Sequence, residues 1–109
     1  MPLSIQEMSD RFEIQDLIVG YCYAVDARDW DALDQFFTAD AVIDYSEMVG
    51  VSGGLPEIKR FLAESLAPVL AFQHAVSTTQ YEIDGDQART RTACYNPMTI
   101  GNGDTTDTL

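Results

Sequence analysis

The 109-residue sequence predicts a small soluble α+β domain, with helices in its N-terminal half and long antiparallel strands toward its C-terminus, built round one apolar pocket. Three observations predict it. A chain of this length buries one core but seldom two, so a single domain over residues 1–109 is expected. An apolar stripe of helical period fills the first quarter of the chain. Two threonine- and tyrosine-rich stretches then flank Asp84-Gly85-Asp86, whose residues tolerate the positive φ of a tight hairpin turn.

Each element has a local reason. Ser4-Ile5-Gln6-Glu7 has the pattern of a capping box, so a helix starts there. Ile14, Leu17, Ile18, Tyr21 and Val25 fall on one stripe at about 100° per residue, with Glu13, Gln15 and Asp16 on the other side. Asp29 is placed to cap a short second helix carrying Trp30, Leu33, Phe36 and Phe37, and Asp29 and Asp31 complement its positive end.

Ala41 to Tyr45 reads as a strand from its β-branched and aromatic residues, and Gly50 to Gly54 as a glycine-rich loop. Pro56 fits the first turn of a third helix with Ile58, Phe61, Leu62, Leu66 and Val69 on its apolar face and Pro68 near its end. Phe72 to Ile83 and Ala88 to Met98 read as two long strands, with His74, Val76 and Thr78 on one face unless a bulge shifts the register. Gly101-Asn102-Gly103-Asp104 is a turn cluster, after which a return strand is expected to begin just where the sequence ends, so the sheet reads as C-terminally incomplete.

Composition narrows the function. Eighteen acidic against six basic residues give a net charge of −12, which repels a phosphate backbone, so neither nucleic acid nor an anionic membrane is expected as a partner. The apolar runs are far shorter than the roughly 20 residues that cross a bilayer, and no basic-plus-apolar leader precedes them; a cytoplasmic location is the expectation. Cys22 and Cys94 are too few for a disulfide framework and read as small core residues. One histidine with scattered acids lacks a zinc ligand set, Gly50 to Gly54 lacks the lysine of a phosphate loop, and neither a metal nor a cofactor is expected.

The residues that could carry chemistry are few. His74 is the sole histidine, at the start of a predicted strand, and an imidazole held at one nitrogen by a carboxylate keeps the other as a base. Asp26 is its best partner, because it ends the long helix at an apolar margin where an unpaired charge is costly. Tyr21 and Tyr45 could present hydroxyls to a substrate oxygen. Ideal helix angles put Tyr21 and Asp26 about 140° apart, so both reach one cavity only if it straddles the helix end. On the residues alone, structural readings stand beside these: a half-buried strand histidine, an aspartate that caps the next helix, and core tyrosines with polar tips.

The segments Ile14 to Ile18, Tyr21 to Asp31, Phe36 to Tyr45 and Gln73-His74 resemble the SnoaL-like branch of the nuclear transport factor 2-like superfamily, over nearly the whole chain. The resemblance implies a cone, a strongly curved antiparallel sheet wrapped on three helices, commonly paired into a homodimer through the outer sheet face. It also implies a dehydratase-like lyase or isomerase in the manner of the scytalone dehydratase and bile acid 7α-dehydratase branch, acting on a small apolar or polycyclic substrate. In that likeness Asp26 and His74 match the catalytic pair and Tyr21 an active-site tyrosine, while Tyr45 matches a substrate-binding position. Where scytalone dehydratase carries a second histidine on the later strand, this chain has Cys94, Asn96 and Met98, taken as substrate-binding residues. A non-catalytic ligand-binding or dimerisation module of the same fold is the alternative.

Overall fold

The computed structural model describes residues 2–102 and 105–108. Helix α1 (Ile5–Asp26) opens as its capping residues require, with the Ser4 hydroxyl accepting the Glu7 N–H at 3.0 Å. Only its last turns enter the core, through Cys22, Ala24 and Val25; Leu17, on the expected stripe, stays 47% exposed. The helix stops in a Schellman turn: Arg28 N–H bonds Val25 O and Asp29 N–H bonds Ala24 O, each at 2.9 Å. That turn puts Arg28 at φ +57°, where an L side chain costs about 1 kcal/mol and glycine is usual.

The expected second helix is a 3₁₀ segment, Asp31–Gln35, and the Asp29 carboxylate does cap it, accepting the Ala32 N–H at 3.3 Å. Strand β1 (Val42–Tyr45) leads into a short helix α2 (Ser46–Val49) that local composition did not announce. The glycine-rich stretch expected as a loop is instead strand β2 (Val51–Gly54), which pairs antiparallel with β1. Helix α3 (Leu55–Leu66) follows with Pro56 in its first turn, and the Glu57 carboxylate accepts the Gly54 N–H at 2.7 Å. Val69 belongs not to this helix but to strand β3 (Val69–Phe72), because Pro68 cannot continue helical hydrogen bonding.

Both long strands are broken side by side. The first divides at Gln73-His74 into β3 and β4 (Ala75–Asp84), and the second at Asn96-Pro97 into β5 (Gln87–Tyr95) and β6 (Met98–Asn102). Pro97 has no N–H to give a ladder, so pairing lapses there, and the Gln73 N–H bonds the Pro97 carbonyl at 3.3 Å across the gap. The β4–β5 hairpin turns at Gly85, φ +61°, as the sequence predicts. A bulge at Thr78, φ +51°, shifts the register, so His74, Val76 and Thr78 do not share a face along one uninterrupted strand.

Strand β7 (Thr105–Thr108) pairs with β6, so the return strand has already begun within the chain; the turn expected at 101–104 falls partly on residues 103 and 104, outside the described residues. The ladders are thus β1–β2, β4–β5 and β3–β6–β7, an antiparallel arrangement curved by its breaks and its bulge and packed on the helices. The core gathers where α1, the 3₁₀ segment, α3 and β3 meet, at Val25, Leu33, Ile58, Leu62 and Leu66. No helix among the described residues is long and apolar enough to cross a membrane.

Candidate active site

The two strand breaks lie beside the end of α1, and this juxtaposition makes the site. Asp26 is the last residue of α1, and His74 follows β3 in the gap where no ladder partner claims its N–H. The Asp26 carboxylate takes that N–H at 3.0 Å to each oxygen, and Oδ1 also lies 2.7 Å from His74 Nδ1. One side chain therefore fixes both the backbone and the ring of the histidine. The two side chains are only 14% (His74) and 22% (Asp26) exposed, so water competes weakly for the contact.

An ionised carboxylate only accepts, so the bonded Nδ1 carries the proton of the neutral ring and Nε2 keeps its lone pair. Two rings pack against the imidazole: Phe72 and Tyr21 stand edge-on to it at centroid distances of 6.1 and 6.4 Å.

Tyr21 and Tyr45 meet at 2.8 Å between hydroxyl oxygens. Burial, and then the bond to Tyr45, push the Tyr21 phenol well above its ordinary range, so it stays a proton donor. Whichever hydroxyl donates to the other, one proton of the pair remains to offer elsewhere.

These groups border a cavity of about 500 Å³. Tyr21, Tyr45, His74, Cys94, Asn96 and Met98 all line it, which brings together every residue expected there except Asp26. Asp26 stands behind the imidazole, outside the lining, and that is how the angular separation from Tyr21 is resolved: the tyrosine faces the cavity and the carboxylate faces Nδ1 of the imidazole. Cys94 corrects the expectation of a core residue, since the cysteine is exposed and turned to the cavity wall, whereas Cys22 is buried. Burial of Cys22 and partial desolvation of Cys94 at the wall raise the two thiols; Cys94 and then Asp26 add to the effect on Cys22, and Asp26 to that on Cys94, so both stay protonated and weakly nucleophilic.

Sequence reasoning missed much of the wall. Phe61, Leu62 and Leu66 were legible as the apolar face of α3, but Ser65 beside them was not, nor were Met48 and Val49 of the unforeseen α2. Among the described residues the lining contains no lysine or arginine, so a bound anion would find no counter-charge from them. Asn96 Oδ1 is buried without a hydrogen-bond partner among the described residues. A larger groove of about 730 Å³ beside the hairpin tip is walled by Glu82, Asp84, Gln87 and Arg89 and brings no base and acid into contact.

Known proteins carry the same arrangement of elements. The SnoaL-like domain profile matches residues 6–109. The uncharacterised protein Rv2910c of Mycobacterium tuberculosis is 44% identical over 96 residues, covering 88% of this chain and 65% of that protein. The chain thus spans just under two thirds of the length of the curated relatives it matches. Among solved structures, Kfla4162 from Kribbella flavida superposes with a TM-score of 0.84 at 23% identity, covering 94% of this chain and 74% of that one. A proposed aromatic ring hydroxylase from Novosphingobium aromaticivorans gives a TM-score of 0.79 at 30% identity over 85% of this chain and 67% of that one.

Proposed function

This chain belongs to the SnoaL-like domain family, and we propose that it is a cofactor-independent lyase or isomerase of a small, neutral, cyclic substrate. The observation that carries the reading is the 2.7 Å contact of Asp26 Oδ1 with His74 Nδ1 behind a cavity that Tyr21 and Tyr45 also border. His74 Nε2 removes a proton from carbon next to a carbonyl. Asp26 holds the ring and offsets the charge of the imidazolium that forms. The electron pair moves into the carbonyl, whose growing negative charge takes the free proton of the Tyr21–Tyr45 pair as a hydrogen bond. The imidazolium then returns its proton to a departing hydroxyl, giving an alkene and water, or to another carbon, giving an isomer.

Tyr45, Cys94, Asn96 and Met98 would contact the substrate body in a lining that has no lysine or arginine among the described residues. The likeness to a proposed aromatic ring hydroxylase supports a cyclic ligand. Cys94 and Asn96 line the cavity, so the alternation of the chain turns Tyr95 to the opposite face, where it is 71% exposed; this supports a homodimer through the outer sheet, which light scattering of the protein would check.

Incubation in D2O with a neutral cyclic ketone such as α-tetralone tests the chemistry without knowledge of the natural substrate. Deuterium uptake next to the carbonyl is expected from the native chain and not from His74→Gln. Equal uptake by both would refute the role of His74. Saturable binding of the ketone with no uptake would instead favour a ligand-binding module, a reading consistent with the largely apolar wall of the cavity.

A further inference from the structure

The segment Asp26-Ala27-Arg28-Asp29-Trp30-Asp31 supplies the acid of the pair, but its arginine has no part in the chemistry above. Arg28 is an odd choice for its place, the left-handed position of the Schellman turn where a side chain is strained and glycine is favoured. Its side chain is also unusual for a guanidinium, because no carboxylate lies within ion-pair distance of it among the described residues. Instead it bonds two main-chain carbonyls on another part of the fold, Leu66 O at 2.7 Å and Val69 O at 2.6 Å. Those carbonyls flank the turn from α3 to β3, and Leu66 and Val69 both line the cavity. The same guanidinium lies 4.7 Å from the centroid of the Phe72 ring, and Phe72 stands edge-on to His74.

These contacts close a ring: Asp26 to His74, His74 to Phe72, Phe72 to Arg28, and two peptide bonds back to Asp26. We propose that Arg28 is the positioning residue of the Asp26–His74 pair, a two-pronged strut that locks the end of α1 to the start of β3 so that carboxylate and imidazole meet in one orientation. Its planar fork reaches two carbonyls at once, which a lysine ammonium on a flexible stem cannot match. The catalytic consequence of this strut rests on the function proposed above; its geometric consequence does not.

His74 is the sole histidine, so imidazole signals in the NMR spectrum of the whole chain belong to one residue. Arg28→Gly removes the fork while relieving the strained backbone, and Arg28→Lys keeps the charge. With the helical circular dichroism retained, both are expected to lose the Nδ1–H proton signal of His74 to solvent exchange and to weaken the ring contact between His74 and Phe72. The turnover number for deuterium uptake by α-tetralone is expected to fall about 100-fold with little change in KM, as misplaced reacting groups produce.

Folded variants that keep the native His74 Nδ1–H signal would overturn the proposal. So would loss of folding in both variants, which would make Arg28 a clamp of the whole fold and not of the pair. A native chain that shows no uptake, with variants that still lose the imidazole signal, would sink the proposed chemistry and leave the strut standing.

Discussion

Replacing Asp26 by asparagine keeps the shape of the side chain and removes its charge, and the structure sets the size of both consequences. In the resting protein the carboxylate accepts the His74 Nδ1–H at 2.7 Å and the His74 backbone N–H at 3.0 Å. An amide keeps one acceptor oxygen and turns a donor toward the other contact, so a charge-assisted bond becomes a neutral one at a loss of about 1 kcal/mol of stability. During the proposed proton abstraction the loss is larger, because the ring would become an imidazolium whose charge centre lies about 4 Å from the former carboxylate charge. At the effective dielectric of a partly buried pair that attraction is worth roughly 4 kcal/mol, or about 10³-fold in rate.

Rate and stability should therefore part company: deuterium uptake by α-tetralone falls about 10³-fold, while the urea midpoint moves only as roughly 1 kcal/mol requires. Mass spectrometry of the recovered ketone and an unfolding titration of the same preparation measure the two. A rate that falls less than about tenfold, or no further than the stability loss predicts, would mean that no imidazolium forms beside Asp26.

Two further outcomes follow from the packing. The Tyr21 phenol is held above its ordinary pKa of 10.0 by burial and by Tyr45, so the fold prefers it neutral. Its share of stability is complete below pH 10.0 and falls as the pH rises beyond that, by at most about 1.4 kcal/mol per pH unit. Tyr21→Phe should flatten the alkaline limb of a stability profile by that slope, and an unchanged limb would show that Tyr21 is not buried as described. Gly20→Ala should destabilise the chain by about 1–3 kcal/mol despite better helix propensity, since the new Cβ would lie 2.5 and 2.8 Å from Phe36 ring carbons. A higher thermal midpoint would mean that the Phe36 ring yields easily.

Features that depend on near neighbours in the chain were legible in the sequence. Ser4 caps α1, Asp29 caps the 3₁₀ segment, Pro56 opens α3 and Gly85 turns the hairpin, because each acts through backbone groups two or three residues away. The glycines of β2 hid a strand, since their lack of side chains reads as loop whatever the pairing. Pro97 did carry a signal for the break between β5 and β6, because a proline in a strand interrupts its ladder. The matching gap at Gln73-His74 had no such marker; it follows from the neighbouring break across the ladder.

The sequence by itself determined the ingredients: one imidazole, a carboxylate at the end of a helix, two tyrosines and a net charge of −12. Only the tertiary structure decided that Asp26 stands behind His74 and not in the cavity wall, that Cys94 lines the cavity instead of filling the core, and that Arg28 reaches across to Leu66 and Val69. The division has a physical cause. Periodicity and turn chemistry act over a few residues, whereas the meeting of α1 with residue 74 depends on where two strands lapse and how the sheet bends there, and that is set by packing between segments far apart in the chain.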